Sequence, residues 1–485
     1  MSLIRITAAL ATLCLMISCQ QERPRGDDDD AATVLARGVD IESITFNQGV
    51  EITLMEDGEE VESRNAPVVE GRDGLLRVYL ERQDDFEERD IRVVLELREG
   101  DSPEPVEIEV DEDSKSRKLS STANFFLDEI PSNLEFRVRL EEIDEEVDAA
   151  GDDNESEWPG GESWTDLNPR NPRGPLKVVL LPIRYNGDSS GRLPETGAGQ
   201  LELFENAMLQ RYPVADVEIT VGTGINWTTP ILPNGTGWSE LLDTVMNRRW
   251  NDNPGRDVYY YGLFSPAPSL ASFCSQGCVA GLSPLAENAE DDWGRASIGL
   301  GFPGEGSANT MAHEIGHAHG RAHAPCGLFG QASDPGYPHD GASVGVWGYD
   351  ILDQSLRDPD EYFDFMAYCE PTWVSDYTYD ELFDRVRSVN NLGSARAAED
   401  QHSWVVLSLD GQGGVRKSGT LRRAVPPGGT ARTVRLLDNQ GQEIGTTEGY
   451  FTPLNHLSGG HLLLPEPGEN VSALKLEDGS IVSTL

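Results

Sequence analysis

Residues 313–323 read HEIGHAHGRAH, and this short run limits what the chain can fold into more than any other stretch. His313 and His317 are four apart, so on a helix both imidazoles leave from one face and can reach a single cation. Glu314 stands beside the first of them without being on the ligand spacing, and so is free to act on a water at the metal. Gly320 follows within a turn. A residue without a Cβ can end the helix in a left-handed conformation there and let the chain turn back to deliver His323 as a third ligand. Three neutral imidazoles leave one position of a tetrahedral zinc open, which is the pattern of a catalytic site; a closed structural site fills all four. His319 lies two residues from His317 and points off the ligand face, so it is expected at the surface or behind the ligands.

With His313, Glu314, His317, Gly320 and His323 all in place, the segment resembles the metzincin zinc metalloproteases. That family couples the extended motif to a methionine turn beneath the metal, and DFMAYC (Asp364–Cys369) suits the part. The resemblance implies that Met366 supports the site without ligating the metal, and that Tyr368 can approach the zinc as a tyrosine does in some metzincins. It further implies a mixed α/β catalytic domain with a small lower subdomain closed by a helix. Ala324 directly follows the third histidine, where named metzincin families carry a characteristic residue, so the subfamily stays open.

The N-terminus, MSLIRITAALATLCLMISC, has a basic Arg5 and an apolar stretch too short to span a bilayer, which reads as an export signal. Its end resembles a bacterial lipoprotein cleavage box, making Cys19 a lipidation candidate and residues 20–35 an acidic tether. Export changes the cysteine count. Cys274, Cys278, Cys326 and Cys369 remain, an even number that suggests two disulfides with three formal connectivities; a second zinc on four thiolates is the rival reading. Because the metzincin resemblance makes the ligand helix and methionine turn neighbours, it favours Cys326–Cys369, with Cys274–Cys278 as a local clip.

The chain carries 84 acidic against 38 basic residues, a formal net charge of −46, which repels nucleic acid and anionic lipid and excludes both as expected partners. A membrane is reached only through the lipid anchor. Acidic runs such as Asp27–Asp30 and 141–157 read as self-repelling linkers, and no ordered loop in them supports calcium binding. At 485 residues several domains are expected.

Residues 36–150 alternate apolar and charged side chains with period two, as in Val50, Ile52, Leu54 and Ile91, Val93, Leu95, which predicts an antiparallel β-sandwich. A connector over 151–174 leads to 175–395, the expected catalytic domain. There 176–185, 214–221 and 257–264 are nearly continuous apolar runs that read as buried strands, with helical stripes at Leu201, Phe204, Met208 and at Trp238, Leu241, Leu242, Val245 between them. After the zinc helix, Leu382, Phe383, Val386 and Val389 mark one more helix. Residues 401–485 return to short strands and turns, a small β-sandwich-like domain. His339 in the loop region reads as structural or exposed, and His402, His456 and His461 in this last segment carry no ligand spacing.

The expectation is therefore a multidomain chain with an α/β metzincin-like catalytic domain flanked by β-domains. It would act as an exported zinc endopeptidase on protein or peptide substrates, with Glu314 as general base. The competing reading is a surface-binding lipoprotein whose metalloprotease domain is vestigial; the intact glutamate speaks against it. Cleavage specificity and oligomeric state do not follow from spacing.

Overall fold

The computed structural model describes residues 34–84, 86–143, 155–328, 333–393 and 401–483. Cys19, with the rest of the signal and the tether up to residue 33, lies outside these residues.

The period-two region forms two antiparallel sheets. In the first, β1 (Val39–Asn47) is flanked by β2 (Glu51–Glu56) and β3 (Gly74–Arg82), with β6 (Ala123–Leu127) beyond β3. In the second, β4 (Arg89–Leu97) lies between β5 (Val106–Val110) and β7 (Glu135–Glu142). Their inward residues, among them Ile44, Phe46, Ile91 and Val93, belong to one buried cluster, while Arg92 and Glu96 on β4 alternate with them on the partly exposed face; Arg77 on β3 is buried and paired with Glu51. The expected connector differs from its reading: Glu157–Trp158 and Thr165–Asp166 both pair with β7, so its backbone amides find partners at a sheet edge instead of remaining free.

The central region is a sheet in the order β9-β8-β10-β12-β11. Strands β8 (Leu176–Tyr185), β9 (Val217–Val221), β10 (Val258–Phe264) and β12 (Ala296–Leu300) are parallel, joined through α1 (Ala198–Arg211) and α2 (Trp238–Asp252), and β11 (Gly281–Leu282) is an antiparallel edge. β8, β10 and β12 are largely buried, as continuous apolar runs require. β9 is not: as the far edge it leaves Glu218, Thr220 and Val221 partly or fully exposed, so the run at 214–221 does not form a fully buried strand. Helix α3 (Glu305–Ala318) crosses the sheet beside α1, and α4 (Asp376–Asn390) buries Leu382, Phe383, Val386 and Val389 as its periodicity demands.

The N-terminal sheets grip this region through polar pins. The buried Arg72 guanidinium donates to the carbonyls of Leu209 (2.6 Å), Tyr212 (3.2 Å) and Val214 (2.7 Å) at the end of α1, and the Tyr379 hydroxyl donates to Gln48 O at 2.8 Å.

Residues 402–483 form a single antiparallel sheet of seven strands where two facing sheets were expected. The order is β14-β13-β17-β16-β15-β18-β19, namely Val415–Arg423, His402–Leu409, Gly460–Pro465, Glu443–Pro453, Thr430–Leu437, Ala473–Lys475 and Ile481–Ser483. β14 and β19 lie close together, so the sheet curls and buries its own small core around Leu407, Val434, Leu462 and Leu464. Its other face shares a core with the central sheet, where Trp404, Val406, Leu421, Leu454 and Leu463 meet Leu242, Trp293 and Ile298. Arg423 and Asp291 form a buried ion pair at 2.8 Å across this junction, and His461 donates to Asp243 at 2.7 Å. Both disulfides, Cys274–Cys278 and Cys326–Cys369, are present, in keeping with an exported protein. No helix among the described residues is long and apolar enough to cross a membrane.

Candidate metal centre

Helix α3 positions the site. Its entry at Gly304 is held by α1, where the Gln200 side chain accepts from Gly304 N (2.7 Å) and donates to Gly304 O (3.1 Å). Met311, Ala312 and Ile315 bury one face, which leaves His313 and His317 on another. The helix ends at Gly320, whose φ of +87° lets Arg321 N reach Gly316 O at 3.0 Å; a Cβ there would lie 2.9 Å from Ala286 O. The returning chain brings His323 back beside His317.

The three imidazoles meet through their Nε2 atoms. His317 Nε2 lies 2.9 Å from His313 Nε2 and 3.1 Å from His323 Nε2. His313 Nδ1 faces Phe365 O at 2.8 Å and His317 Nδ1 faces Arg321 O at 2.6 Å. A carbonyl can only accept, so both Nδ1 atoms carry the proton and both Nε2 atoms are bare lone pairs. Burial, reinforced for His317 and His323 by the neighbouring imidazoles, pulls all three basicities down, His313 to about 4 and His323 to about 2. Converging lone pairs on neutral rings repel one another unless a cation lies among them, so this donor set fits a zinc-type ion.

Glu314 is buried, one per cent exposed, and its carboxylate rests against β11. That approach needs Gly281, because a Cβ there would fall 2.3 Å from Glu314 Oε1. Below the histidines, Asp364 Oδ1 accepts from Met366 N (2.8 Å) and Oδ2 from Ser375 N (3.0 Å), fixing the turn that carries Met366. Burial raises the Asp364 carboxyl above its usual range. The Met366 sulfur packs on Gly316, where a Cβ would come within 2.5 Å of it. The Cys326–Cys369 bond ties this turn to the chain just past His323. Tyr368 sits at the cleft, its ring centroid 4.9 Å from that of His323.

Two residues of this centre had no sequence signal. His456 and Asn455, from the turn between β16 and β17, reach Glu314: His456 Nε2 is 2.8 Å from Oε1, and Asn455 Nδ2 is 2.8 Å from Oε2. His456 Nδ1 also meets the Tyr368 hydroxyl. His456, which carries no ligand spacing in the sequence, is brought by the fold into the four-histidine cluster His313, His317, His323 and His456. Of the two places expected for His319 the surface is excluded: it points off the ligand face and is buried, stacked on Tyr259 at 4.4 Å, with Nδ1 donating to Ile315 O and burial holding its pKa down to about 3. His339 pairs with Asp376 at 2.6 Å and His402 is exposed on β13. The centre opens on a cleft of about 540 Å³ lined by Arg211, Val279, Gly281, Thr310, Tyr368 and Glu370, among others.

A family model, Peptidase M66, matches residues 283–362. The matched segment contains all three motif histidines, Glu314 and Gly320, and stops before Met366, Tyr368 and His456. It supports a peptidase of the metallo type, acting on protein or peptide. No curated protein matches the chain.

Proposed function

We propose that this chain is an exported, metzincin-like zinc endopeptidase whose metal is held by His313, His317 and His323. The convergence of three imidazole Nε2 lone pairs beside a buried glutamate carries the reading. Zinc bound there supplies a Lewis acid that polarises a peptide carbonyl and acidifies water. The residues do the rest. Glu314, held next to the ligands but not among them, takes the proton from the attacking water and returns it to the leaving amine. Phe365 O and Arg321 O fix the tautomers of His313 and His317, keeping the donor atoms on the metal side. The Tyr368 hydroxyl is within the cleft to stabilise charge on the carbonyl oxygen. Cys19 would anchor the mature chain to the envelope, in line with the lipoprotein-like junction.

The test is Glu314→Ala. Three imidazoles remain, so bound zinc should stay near one equivalent, while kcat on a peptide substrate should fall by about 10²–10⁴-fold. An active, zinc-loaded Glu314→Ala protein overturns the assignment.

A further inference from the structure

Resting on the metallopeptidase reading, one feature of the centre goes beyond it. The His456 ring lies 5.4 Å from His313, 5.4 Å from His317 and 5.0 Å from His323, centroid to centroid. The three motif rings are separated from one another by 4.6, 4.6 and 5.4 Å. The four rings are nearly equally spaced, and one ring nitrogen of each lies within 4.8 Å of the others, so His456 is on the side of the cluster where a three-histidine site leaves room for water and substrate. Because His456 Nε2–H donates to the Glu314 carboxylate, Nδ1 keeps the lone pair that now meets the Tyr368 hydroxyl.

The segment bearing His456 is seated as an extra strand. Leu285 N donates to Pro453 O (3.0 Å), Asn455 N donates to Ser283 O (3.1 Å), and Leu454 pairs antiparallel with Pro284, directly after β11. It thus extends the sheet edge past β11, at 283–285, beside residues 277–281 that line the cleft. With both Glu314 oxygens engaged by Asn455 and His456, the base is occupied as well. The sheet behind is fastened by Arg423–Asp291 and by His461–Asp243, and Leu454 and Asn455 are held by Pro284 and Ser283, so a movement of His456 would fall to the turn 456–459, which ends at Gly459 with φ +107°.

We propose that His456 is a displaceable fourth metal ligand, and that the C-terminal sheet, by presenting it, keeps the fourth metal position filled until the 456–459 turn shifts. With a metal bound, one metal–nitrogen coordinate bond to the neutral imidazole would be exchanged for one to a water or carbonyl oxygen, with no proton or electron transferred.

The test uses the full chain loaded with Co²⁺, comparing wild type with His456→Ala and with His456→Asn, which retains a polar side chain if alanine disturbs the turn. Acetohydroxamate is the probe for an open position, read by the visible spectrum, alongside the rate of metal loss to a chelator. A closed state populated at 90% or more lowers apparent probe affinity at least about 10-fold, so both variants should bind hydroxamate that much more tightly and release metal faster. Peptide cleavage should rise in parallel. Equal hydroxamate affinity and metal release in all three proteins overturn the closed centre and leave the peptidase reading intact. Variants that keep metal and hydroxamate affinity but lose cleavage also overturn it, making His456 part of the working machinery. Tighter hydroxamate binding with no cleavage by any preparation supports the closed centre and removes the peptidase reading instead.

Discussion

Gly281→Ala isolates the geometry of Glu314 from its chemistry. Gly281 lies in β11 opposite Gly299, and its backbone is one that alanine can adopt, so the substitution adds only a methyl group. That methyl would stand 2.3 Å from Glu314 Oε1, 2.4 Å from Cγ and 2.5 Å from Cδ, roughly 1 Å inside ordinary contact. The helix backbone cannot yield easily, because Ser297 Oγ donates to Glu314 O at 3.2 Å and α3 is packed between α1 and the sheet. The carboxylate must move instead, against its bonds to Asn455 and His456. A displacement of about 1 Å at a reacting group costs on the order of 10²-fold, or ~2.7 kcal/mol of barrier. Overpacking should lower stability by about 1–3 kcal/mol. Zinc should remain, since none of the nearest atoms belongs to a histidine. The assay is kcat on one peptide substrate, zinc content and a urea midpoint in the same preparations, with Gly199→Ala as control because a Cβ there meets nothing within 4 Å. A folded, zinc-loaded Gly281→Ala protein with wild-type kcat would refute the placement of Glu314 as base.

Two further outcomes are expected. His317→Ala removes the central donor, whose Nε2 faces both other motif histidines, and elemental analysis should show a large loss from about one zinc equivalent; undiminished zinc would remove the site. The double change Cys326→Ser, Cys369→Ser opens a 43-residue loop between the end of the α3 segment and the turn carrying Met366. It should cost about 4 kcal/mol in the chain-entropy picture, read by urea denaturation with the wild type oxidised, and no change in midpoint would rule out a stabilising bond.

What the sequence determines by itself is local. The four-residue spacing of His313 and His317, the glycine after them and the alternation of Val50, Ile52 and Leu54 all act through the 3.6- and 2-residue periods of the backbone, which are readable in any one stretch. The edge exposure of β9 escaped that reading because an apolar run looks the same whether its strand ends up central or outermost, and strand order is a property of the whole sheet. For His319 spacing says which face it leaves, and only the fold decides between surface and interior by placing Tyr259 there. His456 and Asn455 are the extreme case. They reach Glu314 across 142 and 141 residues because a hairpin turn docks beside β11, and nothing in their own neighbourhood encodes that docking. Contacts of such separation are selected by the complementarity of two packed surfaces, here Leu454, Trp404 and Leu463 against Leu242, Trp293 and Ile298. The helix bearing His313, Glu314 and His317 is therefore written in one segment, while the groups that bind its glutamate are decided only when the last sheet packs against the central one.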